Sequence, residues 1–106
     1  MNTDTTDAAR ELYLYAINHA ATWQQIEAIA RNYERKRAKG TYDSALAAKG
    51  LIYAAETAAK AYVRDHCDSA TKWHDMFKPS DRVTVAALLR GDMESEWDAG
   101  NGWTVA

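Results

Sequence analysis

The densest group of side chains with chemical potential lies in the second half of the chain. His66, Cys67, Asp68, His74 and Asp75 fall close together in the sequence, and zinc accepts all three residue types in tetrahedral sites. Their spacing is unlike that of a metal site, because adjacent helical residues point in different directions and no CxxC or HExxH pattern is present. We therefore expect no metal, and we interpret His66 as a residue that complements the carboxyl end of a helix.

The single cysteine offers a nucleophile. Cys67 could meet His19, His66 or His74 in space, since a nucleophile and its base need not be adjacent in sequence. The chain has no Gly-rich oxyanion loop and no strand–turn–helix nucleophile elbow, however. The sequence therefore predicts that the protein is not an enzyme and needs no cofactor, and that Cys67 is an inert thiol.

Carboxylates alternate near the end of the chain, where residues 91–106 contain no base. We call Asp92, Glu94, Glu96 and Asp98 the acidic face, and Trp103 follows it as a candidate exposed anchor. Alternation by two spreads the carboxylates around a helix, and Glu94 and Asp98 share a side and repel slightly. One interpretation is a solvated helix surface. The other is a protein-binding site for a basic partner, in which Trp103 contributes an aromatic anchor.

Basic residues gather at a different place. The basic patch contains Arg31, Arg35, Lys36, Arg37 and Lys39, with Tyr42 beside it. Cations next to an aromatic ring can hold phosphates while the ring stacks on a base, which makes nucleic acid one expected ligand. The same cluster is also what the carboxyl end of a helix favours, because cations complement its exposed carbonyl groups.

Composition limits what can position these groups. The chain has 106 residues with a net charge of −2, one proline, five glycines and 21 alanines. This length suits one domain over residues 1–106, and so little proline and glycine disfavours a β-rich fold. No apolar run approaches the roughly 20 residues that span a bilayer, and no signal peptide is evident. We therefore expect a cytoplasmic protein with no membrane partner.

Helical patterns divide the first half of the chain. The first helix is predicted from about Asp7 to His19, capped by Thr5 or Thr6, although residues 12–17 are apolar enough for a short strand. The second begins with a capping box at Thr22–Gln25 and ends at Gly40, where a left-handed glycine is favoured.

The third helix is predicted from an Asp43 or Ser44 cap to about His66, with Glu56 and Lys60 as an ion pair. Gly50 lies inside it, which predicts close approach by another backbone. The smooth side formed by Ala47, Gly50, Ala54 and Ala58 could receive helices of the same chain or of a second copy, so a homodimer stays open.

The remaining sequence predicts a short helical turn and a last long helix. The turn covers residues 71–77, where apolar side chains suggest packing on the core. The last helix begins at a Ser80 cap after Pro79. A mobile tail is expected over residues 99–106. The predicted fold class is all-α, a compact bundle of about four principal helices plus the short turn.

Five segments carry a resemblance to a known group of proteins: KGTYD from Lys39, the helix from Tyr53 to Val63, WHDMF from Trp73, Asp81-Arg82, and VAALL from Val85. Together they resemble small helical proteins encoded by bacteriophages and prophages, generally of unassigned function. The resemblance covers about residues 11–97 and brings no catalytic motif with it.

This resemblance implies expression in an infected bacterium and action by binding a host protein. The function it implies is inhibition of a host defence complex, with anti-CRISPR proteins as the comparison and a CRISPR effector as the expected partner. Nucleic-acid binding through the basic patch is the alternative.

Overall fold

The computed structural model describes residues 7–68 and 70–98, and it confirms the all-α prediction. No strand occurs among the described residues. Four long helices and one short helix follow in the order α1 (Asp7–Asn18), α2 (Ala20–Ala38), α3 (Ser44–His66), α4 (Trp73–Met76) and α5 (Pro79–Asp98). Residues 12–17 are helical, so the strand alternative for them is wrong. The expected Thr5 or Thr6 cap, the tail at 99–106 and Trp103 lie outside the described residues.

A single extended residue separates α1 from α2. His19 has φ −92° and ψ 117°, and its ring nitrogen accepts a hydrogen bond from the Thr22 backbone N–H. The His19 carbonyl accepts from Trp23 N at 2.8 Å, so α2 begins at Ala20. The predicted capping box is therefore wrong: Thr22 lies inside the helix, fully buried, with its hydroxyl 2.9 Å from Nδ1 of His19.

The loop between α2 and α3 forms as predicted. Gly40 adopts φ 77°, the left-handed conformation that favours glycine after a helix. Asp43 is the N-cap of α3, and its Oδ1 accepts from Ala45 N at 3.0 Å and Leu46 N at 3.3 Å. Gly40 and Asp43 therefore shape the loop that connects the basic patch to the start of α3.

The central element is α3, which contacts all four other helices. Ser44 bonds Glu94, whereas Glu56 bonds Arg82, so α3 and α5 run antiparallel. Most alanines of α3 are buried in one core with bulky side chains of the surrounding helices, including Leu12, Ile26, Leu89 and Met93. Helices of the same chain thus cover the smooth side of α3.

The expectation for Gly50 is wrong in its detail. A Cβ built there would meet Ile29 Cγ2 and the Tyr33 ring at 3.9 Å, which is ordinary van der Waals contact. Side chains of α2, and not its backbone, face this glycine. The site therefore has room for a methyl group.

The last helix begins one residue before its predicted cap. Pro79 is the first residue of α5, where its missing N–H costs nothing. The Asp81 carboxylate accepts from Lys78 N at 3.1 Å and satisfies a backbone donor at the helix start. Ser80 lies within the helix and is not the N-cap.

The predicted turn at 71–77 is confirmed as α4 and its flanking residues. Phe77 is buried at 1% exposure, Trp73 is half-buried, and Met76 remains 38% exposed. Phe77 anchors the segment through an edge-to-face contact with Tyr62, the ring centroids lying 5.4 Å apart. None of the described helices is long and apolar enough to cross a membrane.

Candidate binding surfaces

The carboxylates of the acidic face are held by side chains from distant parts of the chain. The Tyr13 hydroxyl of α1 donates a hydrogen bond to Asp92. Oε2 of Glu94 accepts from the Tyr42 hydroxyl at 2.6 Å and from the Ser44 hydroxyl at 2.9 Å. Two members of the acidic face are therefore oriented before any partner arrives.

The packing of α5 explains this arrangement. Met93 and Trp97 share one side of the helix and are buried, with exposures of 1% and 8%. The carboxylates of the acidic face lie on the remaining sides of α5, where they point toward neighbouring helices or solvent. Glu96 is exposed, and Asp98 reaches Arg37 of α2 at 2.5 Å.

Burial and the carboxylates together change the ionisation of two tyrosines. Burial first, and then the hydrogen bond to Glu94, raises the pKa of Tyr42 to about 12. Burial and Asp92 raise the pKa of Tyr13 in the same way. Both hydroxyls therefore stay protonated and able to donate throughout the physiological pH range.

Hydroxyl donors orient a carboxylate without cancelling its charge. Tyr13 and Tyr42 bring no positive charge to Asp92 and Glu94. Of the four carboxylates of the acidic face, Asp98 alone has an ion-pair partner among the described residues, namely Arg37. Asp92 and Glu96 lie about one turn apart on the same side of α5, whereas the half-buried Glu94 lies on the other side of the helix.

The basic patch is divided by internal contacts. Arg31 pairs with Glu27 at 3.0 Å, and the Arg37 guanidinium lies 5.5 Å from the Trp97 ring centre as well as against Asp98. Lys36 Nζ lies 5.2 Å from the centre of the Tyr33 ring. Arg35 and Lys39 are exposed.

The Tyr42 ring packs against other aromatic side chains of this region. Its ring makes edge-to-face contacts with Tyr33 at 5.9 Å and Trp97 at 5.1 Å, measured between ring centres. It is half-buried. The patch and the acidic face therefore meet through Tyr42 and the Arg37–Asp98 pair, around an open cavity of about 220 Å³.

The His, Cys and Asp residues that were considered as metal ligands make separate contacts. The His66 ring packs against Tyr15 and Tyr62, and Cys67 Sγ lies 3.6 Å from Met76 Sδ. Oδ1 of Asp68 accepts from the backbone at Ala70. Within the described ranges, no group of three or more His, Cys, Asp or Glu residues is placed to hold a metal ion.

A second basic surface, not predicted from the sequence, lies on α3. Glu56 pairs with Arg82 of α5 at 2.7 Å and not with Lys60, so the predicted helical ion pair is wrong. Lys60 instead lies 5.3 Å from the Trp73 ring centre. The signal was present in the sequence, since Lys49, Tyr53 and Lys60 follow one another at helical spacing.

Comparison with known proteins adds no relative from which a site could be transferred. No protein family, curated protein sequence or solved structure matches this chain.

Proposed function

We propose that this chain is a non-catalytic, phage-encoded binding protein that inhibits a host bacterial defence complex by docking its acidic face on a basic surface of that complex. A CRISPR effector is the first target to test. The phage origin rests on the resemblance of the sequence, and the binding mode rests on the geometry of α5.

The observation that supports this proposal most directly is the fixed orientation of charge. Tyr13 holds Asp92, while Tyr42 and Ser44 hold Glu94. A carboxylate that is already oriented loses less conformational freedom on binding, so more of its electrostatic attraction appears as affinity. Surfaces that bind nucleic acid are basic, and oriented carboxylates complement them.

A plaque assay tests the proposal. Bacteria with an active CRISPR system would be challenged with a targeted phage while expressing the wild-type chain or a variant. D92N/E96Q removes two charges from the acidic face and keeps similar side-chain shapes. D7N/D75N is the matched control, because it removes two charges from exposed positions on α1 and α4.

We expect the wild type and D7N/D75N to restore plaques and D92N/E96Q to lose most of this effect. Loss of two interfacial charges should weaken binding by about tenfold or more. Circular dichroism must show equal folding of all three proteins. Failure of the wild type to protect phage from any defence system, or equal protection by D92N/E96Q, would contradict the proposal.

The second candidate function, nucleic-acid binding through the basic patch, has a narrower basis. Arg31 and Arg37 are in ion pairs, which leaves Arg35, Lys36 and Lys39 to contact phosphates. Unchanged affinity for DNA and RNA after reversal of Arg35 and Lys39 would count against it.

A further inference from the structure

The solvent side of α3 carries a row of cations around one exposed aromatic ring. Leu46, Lys49, Tyr53, Lys60 and Arg64 recur at intervals that keep them on one side of the helix. Tyr53 is 67% exposed and Leu46 is 47% exposed, and the three cations are exposed as well. We call these five residues the α3 stripe.

The stripe contains no acidic residue. In the part of the chain that the structure describes, Lys49 and Lys60 form no ion pair, and Arg64 pairs only with its neighbour Asp65. Glu56, the other carboxylate within α3, is occupied by Arg82. The stripe is therefore locally positive although the whole chain has a net charge of −2.

A groove continues the positive surface beyond the carboxyl half of α3. It has a volume of about 540 Å³ and is lined by Lys60, Arg64, Lys72 and Trp73, together with the carboxylate of Asp68. The guanidinium of Arg82 lies 4.9 Å from the Trp73 ring centre, where its ion pair with Glu56 offsets its charge.

We propose that the α3 stripe and this groove bind single-stranded nucleic acid. The cations would contact phosphates, and Tyr53 would stack on a base. From Lys49 to Arg64 the helix rises about 23 Å, enough for a few nucleotides of extended strand.

The exposed ring favours a single strand over the other polyanions. An aromatic side chain can stack only on a base whose face is not covered by a neighbouring base. Within a duplex, neighbouring base pairs cover both faces of each base. An acidic protein surface would use the cations but would gain no stacking from Tyr53. This surface lies on α3, so the proposal is independent of the acidic face on α5 and of the host partner.

Fluorescence anisotropy with a labelled 12-nucleotide oligothymidine at low salt is the direct test. The variants are Y53A and K49E/K60E. The matched control is R10E/K78E, which makes the same change of charge at two exposed positions outside the α3 stripe and the basic patch. A duplex of the same length and polyglutamate serve as competitors, and circular dichroism checks the fold.

We expect micromolar binding that weakens as salt rises. Y53A should weaken it by about tenfold, K49E/K60E by more than tenfold, and R10E/K78E by less than twofold. Should K49E/K60E unfold, Y53A and K49Q retain the test, since both side chains are exposed. Absence of binding at 100 micromolar protein, equal losses in all variants, or stronger competition by polyglutamate or duplex would overturn the proposal.

Discussion

At the scale of single residues, Tyr42 connects the basic patch to the acidic face. The pKa of its hydroxyl is raised to about 12 in the folded protein, whereas tyrosine in an unfolded chain has a pKa near 10. The fold favours the neutral hydroxyl, through burial first and then the bond to Glu94. This stabilisation is complete below about pH 10 and is lost as the pH rises through about 12.

Y42F tests this behaviour. The variant should lose about 1 kcal/mol of unfolding free energy at pH 7, because one hydrogen bond is removed while Ser44 still bonds Glu94. Between pH 10 and 12 its stability should fall less steeply than that of the wild type. Urea unfolding at stepped pH measures both quantities, and parallel curves for the two proteins over that interval would refute the role given to Tyr42.

Asp43 permits a second residue-scale prediction. Its carboxylate is the N-cap of α3, so D43A should destabilise the protein by about 1 kcal/mol. D43N keeps a cap acceptor and should cost only a few tenths of a kcal/mol. Urea unfolding measures the stability of both variants. Equal stability of D43A and D43N would contradict the capping role of Asp43.

At the scale of elements, three glycines should respond differently to alanine. Gly50 and Gly91 are inside helices with room for a Cβ, so each substitution should raise stability by about 0.5–1 kcal/mol. Gly40 has φ 77°, and G40A should destabilise by about 1 kcal/mol. Thermal unfolding of the three variants decides the matter, and a destabilised G50A would restore the close-backbone interpretation.

The short helix α4 provides another element-scale prediction. Phe77 is buried, so F77A should cost about 3–5 kcal/mol by leaving a cavity. M76A is the control, because this neighbour is partly exposed and should cost less than about 1 kcal/mol. Equal effects of the two substitutions in urea unfolding would mean that α4 does not pack as described.

The sequence predicts elements well where the determinants are local. Asp43 and Gly40 act within a few residues of themselves, so the loop between α2 and α3 could be predicted. Thr22 matched a capping box, but burial of its side chain and the extended conformation of His19 moved the helix start. Glu56 satisfied the rule for a helical ion pair, yet tertiary packing brought Arg82 to it.

The candidate site was harder to predict for the same reason. Asp92 was recognised as an exposed acid, but its bond to Tyr13 joins residues 79 positions apart. Such contacts depend on how α1 and α5 pack, which helical periodicity within one segment does not encode.

At the scale of the whole molecule, the proposed surfaces divide the charge between two helices. The acidic face belongs to the last turns of α5, and the α3 stripe faces solvent along the central helix. A molecule of this kind can attract a basic partner at one surface and a polyanion at another, and both attractions should weaken with salt. The ion pair between Arg37 and Asp98 keeps the basic patch and the acidic face in contact.

We propose that the acidic face binds a component of a host defence complex. The most direct test of this proposal is affinity purification from phage-infected bacteria with quantitative mass spectrometry of the proteins that co-purify. Wild type, D92N/E96Q and D7N/D75N would be compared at equal expression. We predict that a nucleic-acid-binding subunit of a defence complex is enriched with the wild type and D7N/D75N and is depleted at least tenfold with D92N/E96Q. The same partners in equal amounts with all three proteins, or no defence subunit with the wild type, would contradict the claim.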